Sequence, residues 1–201
     1  PEDSGAWTFG ARKIPKAGAF PQNCWVNGEP FWPGLQMDET SYPVILAYRL
    51  WKSGHVRWED SWMMVRRAAD HILHHGPWSP QERWEENMGV SPSNVASMIS
   101  ALIAASEMAD MAQDAKRALA YRQAADNWSS KPGDNLDTWL FTTTGAHGSG
   151  RYYVRIEAAD KPDQAWDPND DSTFVMANGG GRWKEKDVTD AGFLELVRLG
   201  V

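Results

Sequence analysis

The sequence predicts an all-α fold of paired helices, a helical barrel or solenoid. Three observations carry this prediction. Apolar residues recur at helical spacing in several long stretches. Some loops between the helix pairs are long and rich in Gly, Pro and polar residues. No strand–helix–strand alternation runs along the chain, which argues against a doubly wound sheet or a TIM barrel. No repeat of fixed period is visible either.

Residues 1–37 read as a long loop with room for a short irregular helix early on. Asn27-Gly28 and Trp32-Pro33-Gly34 are its turn signals. The first long helix is expected at about 39–53. Pro43 is tolerated in its first turn, Val44, Leu46, Ala47, Leu50 and Trp51 form the apolar stripe, and Gly54 is the stop. A second helix runs from Glu59 to His75, with Trp62, Val65, Ala69, Ile72 and Leu73 on one face and Gly76-Pro77 ending it. Residues 76–90 form a loop. The third helix opens with Ser91 as N-cap and Pro92 at the first helical position. Val95, Ile99, Leu102, Ile103 and Ser106 share a face, and the scarcity of charge before Glu107 predicts burial on most sides. A fourth helix spans about 113–130, with Ala118, Tyr121, Ala125 and Trp128 inward and Lys131-Pro132-Gly133 at its end. Residues 132–186 read as irregular, with short strands at Trp139–Thr143 and Tyr152–Ile156. The last helix is expected from near Asp187, carrying Ala191, Leu194, Leu196, Val197 and Leu199.

Composition narrows the function. The 201 residues are enough for one domain with a real core. The net charge of −7 argues against a nucleic-acid partner, which normally meets a basic face. No apolar run is long enough to span a bilayer, so no membrane partner is expected. The polar start Pro1-Glu2-Asp3-Ser4 lacks the basic and apolar regions of a secretion signal. The single cysteine, Cys24, excludes an internal disulfide and a cysteine-based zinc site, and leaves the compartment undecided. Twelve tryptophans are an unusual number. Indole offers a flat apolar face to a sugar ring and an N–H to a hydroxyl, although most large aromatics in any chain serve the core.

The segment from Pro77 to Gly89 concentrates chemistry. It carries Glu82, Glu85 and Glu86 with Arg83, Trp78 and Trp84 in a loop between two apolar helices. Adjacent carboxylates repel and an apolar wall disfavours ionisation, so such a loop suits a general acid. A solvated acidic loop accounts equally for the composition.

Gln81-Glu82-Arg83-Trp84-Glu85-Glu86, followed by Gly89-Val90-Ser91-Pro92-Ser93, resembles the catalytic-acid segment of glycoside hydrolase family 15, the family of glucoamylases, glucodextranases and some trehalases. Phe20-Pro21-Gln22-Asn23, Val26-Asn27-Gly28 and the run from Trp32 through Gln36-Met37-Asp38-Glu39 are similar to the family's substrate loop. Arg151-Tyr152-Tyr153 and the stretch Asp190–Val201 resemble two further family segments. The resemblance implies Glu85 as general acid, Glu86 as a ligand of sugar hydroxyls, Trp84 as part of the site wall, Trp32 stacked on sugar and Asp38 near the site. Arg83 or Arg151 would orient a carboxylate or bind hydroxyls. It implies an (α/α)6 barrel and a substrate that is an α-glucan or oligosaccharide, cleaved without cofactor or metal. The family's upstream Trp-x-Arg-Asp motif and its downstream basic Glu have no counterpart here. The expectation is therefore that residues 1–201 are part of the catalytic domain, truncated at both ends, with the acid but not the base, and inactive alone. A non-catalytic carbohydrate-binding domain and a helical protein-interaction scaffold remain open alternatives.

Other constellations are weaker. His71, His74 and His75 lie at i, i+3 and i+4 without a matching Glu or Cys, so a metal site is not expected. Asp167–Asp171 has oxygen ligands but not the spacing of a calcium loop. Gly179-Gly180-Gly181 and His147-Gly148-Ser149-Gly150 read as turns rather than a phosphate loop or a nucleophile elbow.

Overall fold

The computed structural model describes residues 5–9, 12–32, 34–160 and 165–201. The polar start Pro1–Ser4 and Pro33 of the turn signal lie outside the described residues. Four long helices dominate: α1 (Met37–Lys52), α2 (Trp58–His75), α3 (Pro92–Met111) and α4 (Ala115–Ser130). A one-turn α5 (Leu136–Leu140) and a terminal α6 (Leu194–Leu199) follow.

Helix α3 is the hub. It packs against α1, α2, α4 and α6. Its Ala and Ser residues keep side chains small, so neighbouring backbones approach closely, while Val95, Met98, Leu102 and Met108 fill the gaps. Each such large apolar side chain, once fully buried, contributes roughly 1.5–3 kcal/mol. The half-exposed Lys52–Glu107 ion pair between α1 and α3 (3.1 Å) contributes at most about 1 kcal/mol. Apolar burial therefore holds the pair together, and the polar contacts set its direction.

That direction follows from the contacts. The first residue of α1 and the third of α3 both meet the loop at 79–82: Met37 N donates to Ser79 Oγ (3.2 Å) and Asn94 Nδ2 to the Gln81 carbonyl (3.1 Å). At the other end Tyr48 of α1 donates to Glu107 of α3 (2.9 Å). So α1 and α3 run parallel. In the second layer Asp70 of α2 meets Arg117 and Tyr121 of α4, and Gly76 beyond α2 lies against Trp128 late in α4. So α2 and α4 also run parallel, each antiparallel to the helix before it. This is the double layer that a barrel of helical hairpins requires.

Several sequence expectations change. The N-terminal loop contains an antiparallel hairpin, β1 (Ala6–Phe9) with β2 (Arg12–Pro15), not an irregular helix. Trp139 belongs to α5, which is closed by a capping box between Asn135 and Thr138; only Phe141–Thr142 (β4) is extended there, paired with Tyr152–Tyr153 (β5). The region 132–186 holds two more pairings: Gly89–Val90 (β3) with Glu157–Ala158 (β6), and Thr173–Met176 (β7) with Gly181–Lys184 (β8). The last helix starts at Leu194, not near Asp187, because two 3-10 turns at Glu185–Asp187 and Ala191–Phe193 interrupt it. Leu46 and Ile103, placed on inward stripes by spacing, are exposed.

Candidate active site

The loop between α2 and α3 is a closed Ω-like excursion. Ser79 and Gly89 exchange both backbone hydrogen bonds at its neck (2.8 and 2.9 Å). Trp78, buried just before the neck, donates its indole N–H to the Ala159 carbonyl (2.8 Å) and pins the loop to β6. Gly89 has φ +151, and a β-carbon there would lie 2.1 Å from the Glu157 carbonyl, so only glycine lets β3 close on β6. Inside the neck, Glu82 N donates to the Asn87 carbonyl (2.9 Å) and Glu85 N to the Glu82 carbonyl (2.8 Å). The inner turn places Glu85 in the left-handed region, at φ 61. For a non-glycine residue that conformation costs roughly 1–2 kcal/mol, which the surrounding bonds of the loop offset.

The three glutamates of the loop meet different fates. Glu82 is 2% exposed, and its Oε1 accepts from Arg155 Nη2 at 2.8 Å. The same nitrogen donates to Glu86 Oε2 at 2.7 Å. Burial pushes the Glu82 carboxyl above its ordinary value, and the guanidinium works against that push. Glu85 is exposed at the tip of the loop, and among the described residues no cation pairs with it. Its charge reaches Glu39, at the start of α1.

That neighbourhood is acidic and partly dry. Burial raises Asp38 to about 6. Burial, then the charges of Asp38 and Glu85, raise Glu39 to about 7. Arg83 is the nearby counter-charge to Asp38, lies over the Trp84 ring (5.4 Å) and approaches Glu195 of α6 (3.8 Å). Trp84 donates its indole N–H to Asp190, which caps the 3-10 turn before α6 through Gly192 N (2.6 Å). The loop, the starts of α1 and α3, and the approach to α6 thus converge on one end of the helix layer. Beside Glu82, Gln36 Nε2 donates to its carbonyl (3.3 Å), and both Gln22 side-chain atoms and Gln81 Oε1 are buried without a protein partner.

The structure brings together Glu85, Glu86, Trp84, Arg83 and Asp38. Trp32 is 47% exposed on the segment that reaches the same place through Gly34, whose backbone lies against Gln22 and Gln81. Sequence reasoning missed Arg155, Glu39 and Asp190. The cation that orients the loop's carboxylates is Arg155; Arg151 instead covers the Phe141 ring (5.6 Å). Arg155 lies 73 residues from Glu82, and no local pattern marks such a pairing. Four of the twelve tryptophans, Trp25, Trp32, Trp84 and Trp183, are exposed. The hairpin that carries Trp183 also touches this loop, through Asn87 Nδ2 and the Val175 carbonyl (3.2 Å).

The weaker constellations have structural roles. His71 is buried, its Nδ1 near the Ala17 carbonyl (3.3 Å), and burial, then His75, lowers it to about 4. Asp167 and Asp170 accept from Asn169 N and Ser172 N in a turn, and Asp171 pairs with Lys184 and Lys186. Gly179–Gly181 turns the β7–β8 hairpin, and His147 bonds the Asp187 carbonyl (2.9 Å). Among the described residues no three His, Cys, Asp or Glu side chains gather as a metal site.

With this geometry in place, comparison with known proteins is direct. The family model described as glycosyl hydrolases family 15 matches residues 8–201. A glucoamylase of Clostridium sp. (strain G0005) is 40% identical over 191 residues, which is 95% of this chain and 25% of that protein. The crystal structure of a bacterial glucoamylase complexed with acarbose superposes with a TM-score of 0.80 at 40% identity, covering 91% of this chain and 25% of the other. The chain thus spans a quarter of the length of these relatives, and its paired helices are part of an (α/α)6 barrel.

Proposed function

Because the chain belongs to glycosyl hydrolase family 15, we propose that it forms part of an exo-acting, inverting α-glucosidase that releases β-glucose from the non-reducing ends of α-glucans. The observation that carries the reading is the division of labour among the loop's glutamates. Arg155 takes Glu82 and Glu86, while Glu85 stands exposed without a cation. A carboxylate locked to a guanidinium is held ionised and makes a poor proton donor. Glu85 is the carboxyl of the three left to protonate a glycosidic oxygen.

In this reading Glu85 donates its proton as the bond to the leaving sugar breaks. A carboxylate base outside these residues activates water on the opposite face of the ring, which inverts the anomeric centre. The resident chain positions the reaction. Arg155 orients Glu86, whose second oxygen receives a sugar hydroxyl. Trp84, fixed by Asp190, forms one wall, and Trp32 stacks on the sugar face. Asp38 and Arg83 complete the polar rim. No cofactor takes part in this chemistry.

Glu85→Gln keeps the shape of the side chain and removes its proton. In a catalytic domain that includes the base, turnover on maltose or isomaltose should fall by roughly 10²–10⁴ with sugar affinity retained. Near-normal turnover in that variant would falsify the assignment and favour a binding domain.

A further inference from the structure

We propose that the Trp25–Phe31–Trp32 edge of the 23–31 hairpin is an outer sugar platform, which takes the distal glucosyl units of longer α-glucan chains. The inference rests on the glycosidase reading and extends it from bond cleavage to chain-length preference.

The hairpin is built to present aromatic rings to water. Trp25 N donates to the Glu29 carbonyl (2.9 Å), Gly28 N to the Trp25 carbonyl (2.8 Å) and Phe31 N to the Asn23 carbonyl (3.1 Å), and Cys24 bridges Pro30. These backbone bonds hold a tight hairpin whose large side chains stay out of the core: Trp25 is 56% and Phe31 49% exposed. The rings form a continuous strip. Trp25 and Phe31 have centroids 4.4 Å apart, and Phe31 and Trp32 6.0 Å apart. Exposed aromatic groupings of this kind mark binding surfaces, since water gains nothing from them.

Three features select the ligand. Between Asn23 and Trp32 the only charged side chain is Glu29, so the strip offers an ionic partner nothing to pair with and suits a neutral, amphipathic one. Successive rings are tilted by 59° and 61° rather than coplanar, which follows the curved path of an α-linked chain better than a flat ribbon. The strip is also continuous with the catalytic loop. The hairpin springs from Gln22 and Gly34, and the Gly34 backbone lies against both Gln22 and Gln81, four residues before Glu85. A chain with its terminal glucose at Glu85 has its outer units within reach of these rings.

The test is calorimetric titration of the full chain and its Trp25→Ala/Phe31→Ala double variant with maltose, maltoheptaose, isomaltose and isomaltoheptaose. The expected result is tighter binding of a heptaose than of its disaccharide by the wild type. The variant should lose roughly three- to tenfold in heptaose affinity with disaccharide affinity unchanged. Unchanged heptaose affinity overturns the proposal, whether or not the melting temperature falls because another part of the polypeptide packs on the strip. Equal losses for both sugar lengths also overturn it, because the rings would then shape the inner site. A wild type that binds none of the four sugars sinks the glycosidase reading together with this one.

Discussion

A single guanidinium decides what the acidic loop can do. Arg155 is 9% exposed and gathers Glu82 and Glu86 onto one nitrogen. Without it Glu82 would be a buried charge with no cation, a loss of roughly 3–5 kcal/mol. Arg155→Met should therefore lower unfolding free energy by about that amount in urea titrations, and adding Glu82→Gln should recover part of it. Equal stability of Arg155→Met and wild type would show that the pairing contributes nothing. The candidate acid was legible in the sequence because Trp84-Glu85-Glu86 is contiguous. Its orienting partner was not, because burial brings Arg155 to the loop from a distant strand end.

Among the elements, the short strand pair β3–β6 joins the catalytic loop to a second acidic feature. Glu157 on β6 and Glu185 on the following 3-10 turn are both buried, at 4% and 3% exposure. Burial, then the charge of Glu185, pushes Glu157 up to about 9, and burial pushes Glu185 to about 7; Asp170 adds to both. A carboxyl whose folded pKa is raised prefers to keep its proton in the folded state. The fold is therefore favoured below the ordinary value of 4.5, and this stability is lost as pH rises through 7 towards 9. Glu157→Gln removes the ionisation and keeps an oxygen to accept from Asp167 N (3.2 Å). The variant should match the wild-type melting temperature near about pH 4 and exceed it by roughly 2–4 °C or more near about pH 8. Calorimetry at the two pH values checks this, and a gain at both or at neither rejects it. Periodicity found the long helices to within a few residues, because each buries one continuous stripe. It missed the β-pairs, which are two to four residues long and carry no periodic signal.

Across the whole molecule, stability is centred on α3 and function on the end where its N-terminus meets α1 and the catalytic loop. Amide hydrogen exchange should be slowest in α3, where nearly every side chain is buried, and fastest in the β7–β8 hairpin, whose second strand is exposed throughout. Comparable protection in the two elements would contradict a core organised around α3. By itself the sequence determined the helical class, the order of the long helices, the family and the identity of the acidic triplet. Those features are written in local periodicity and contiguous motifs. Tertiary structure alone decided which glutamates pair with Arg155, which tryptophans face water, and where Leu46 and Ile103 point. The reason is that burial and pairing are fixed by residues distant along the chain, and no local spacing encodes the free energy of meeting them.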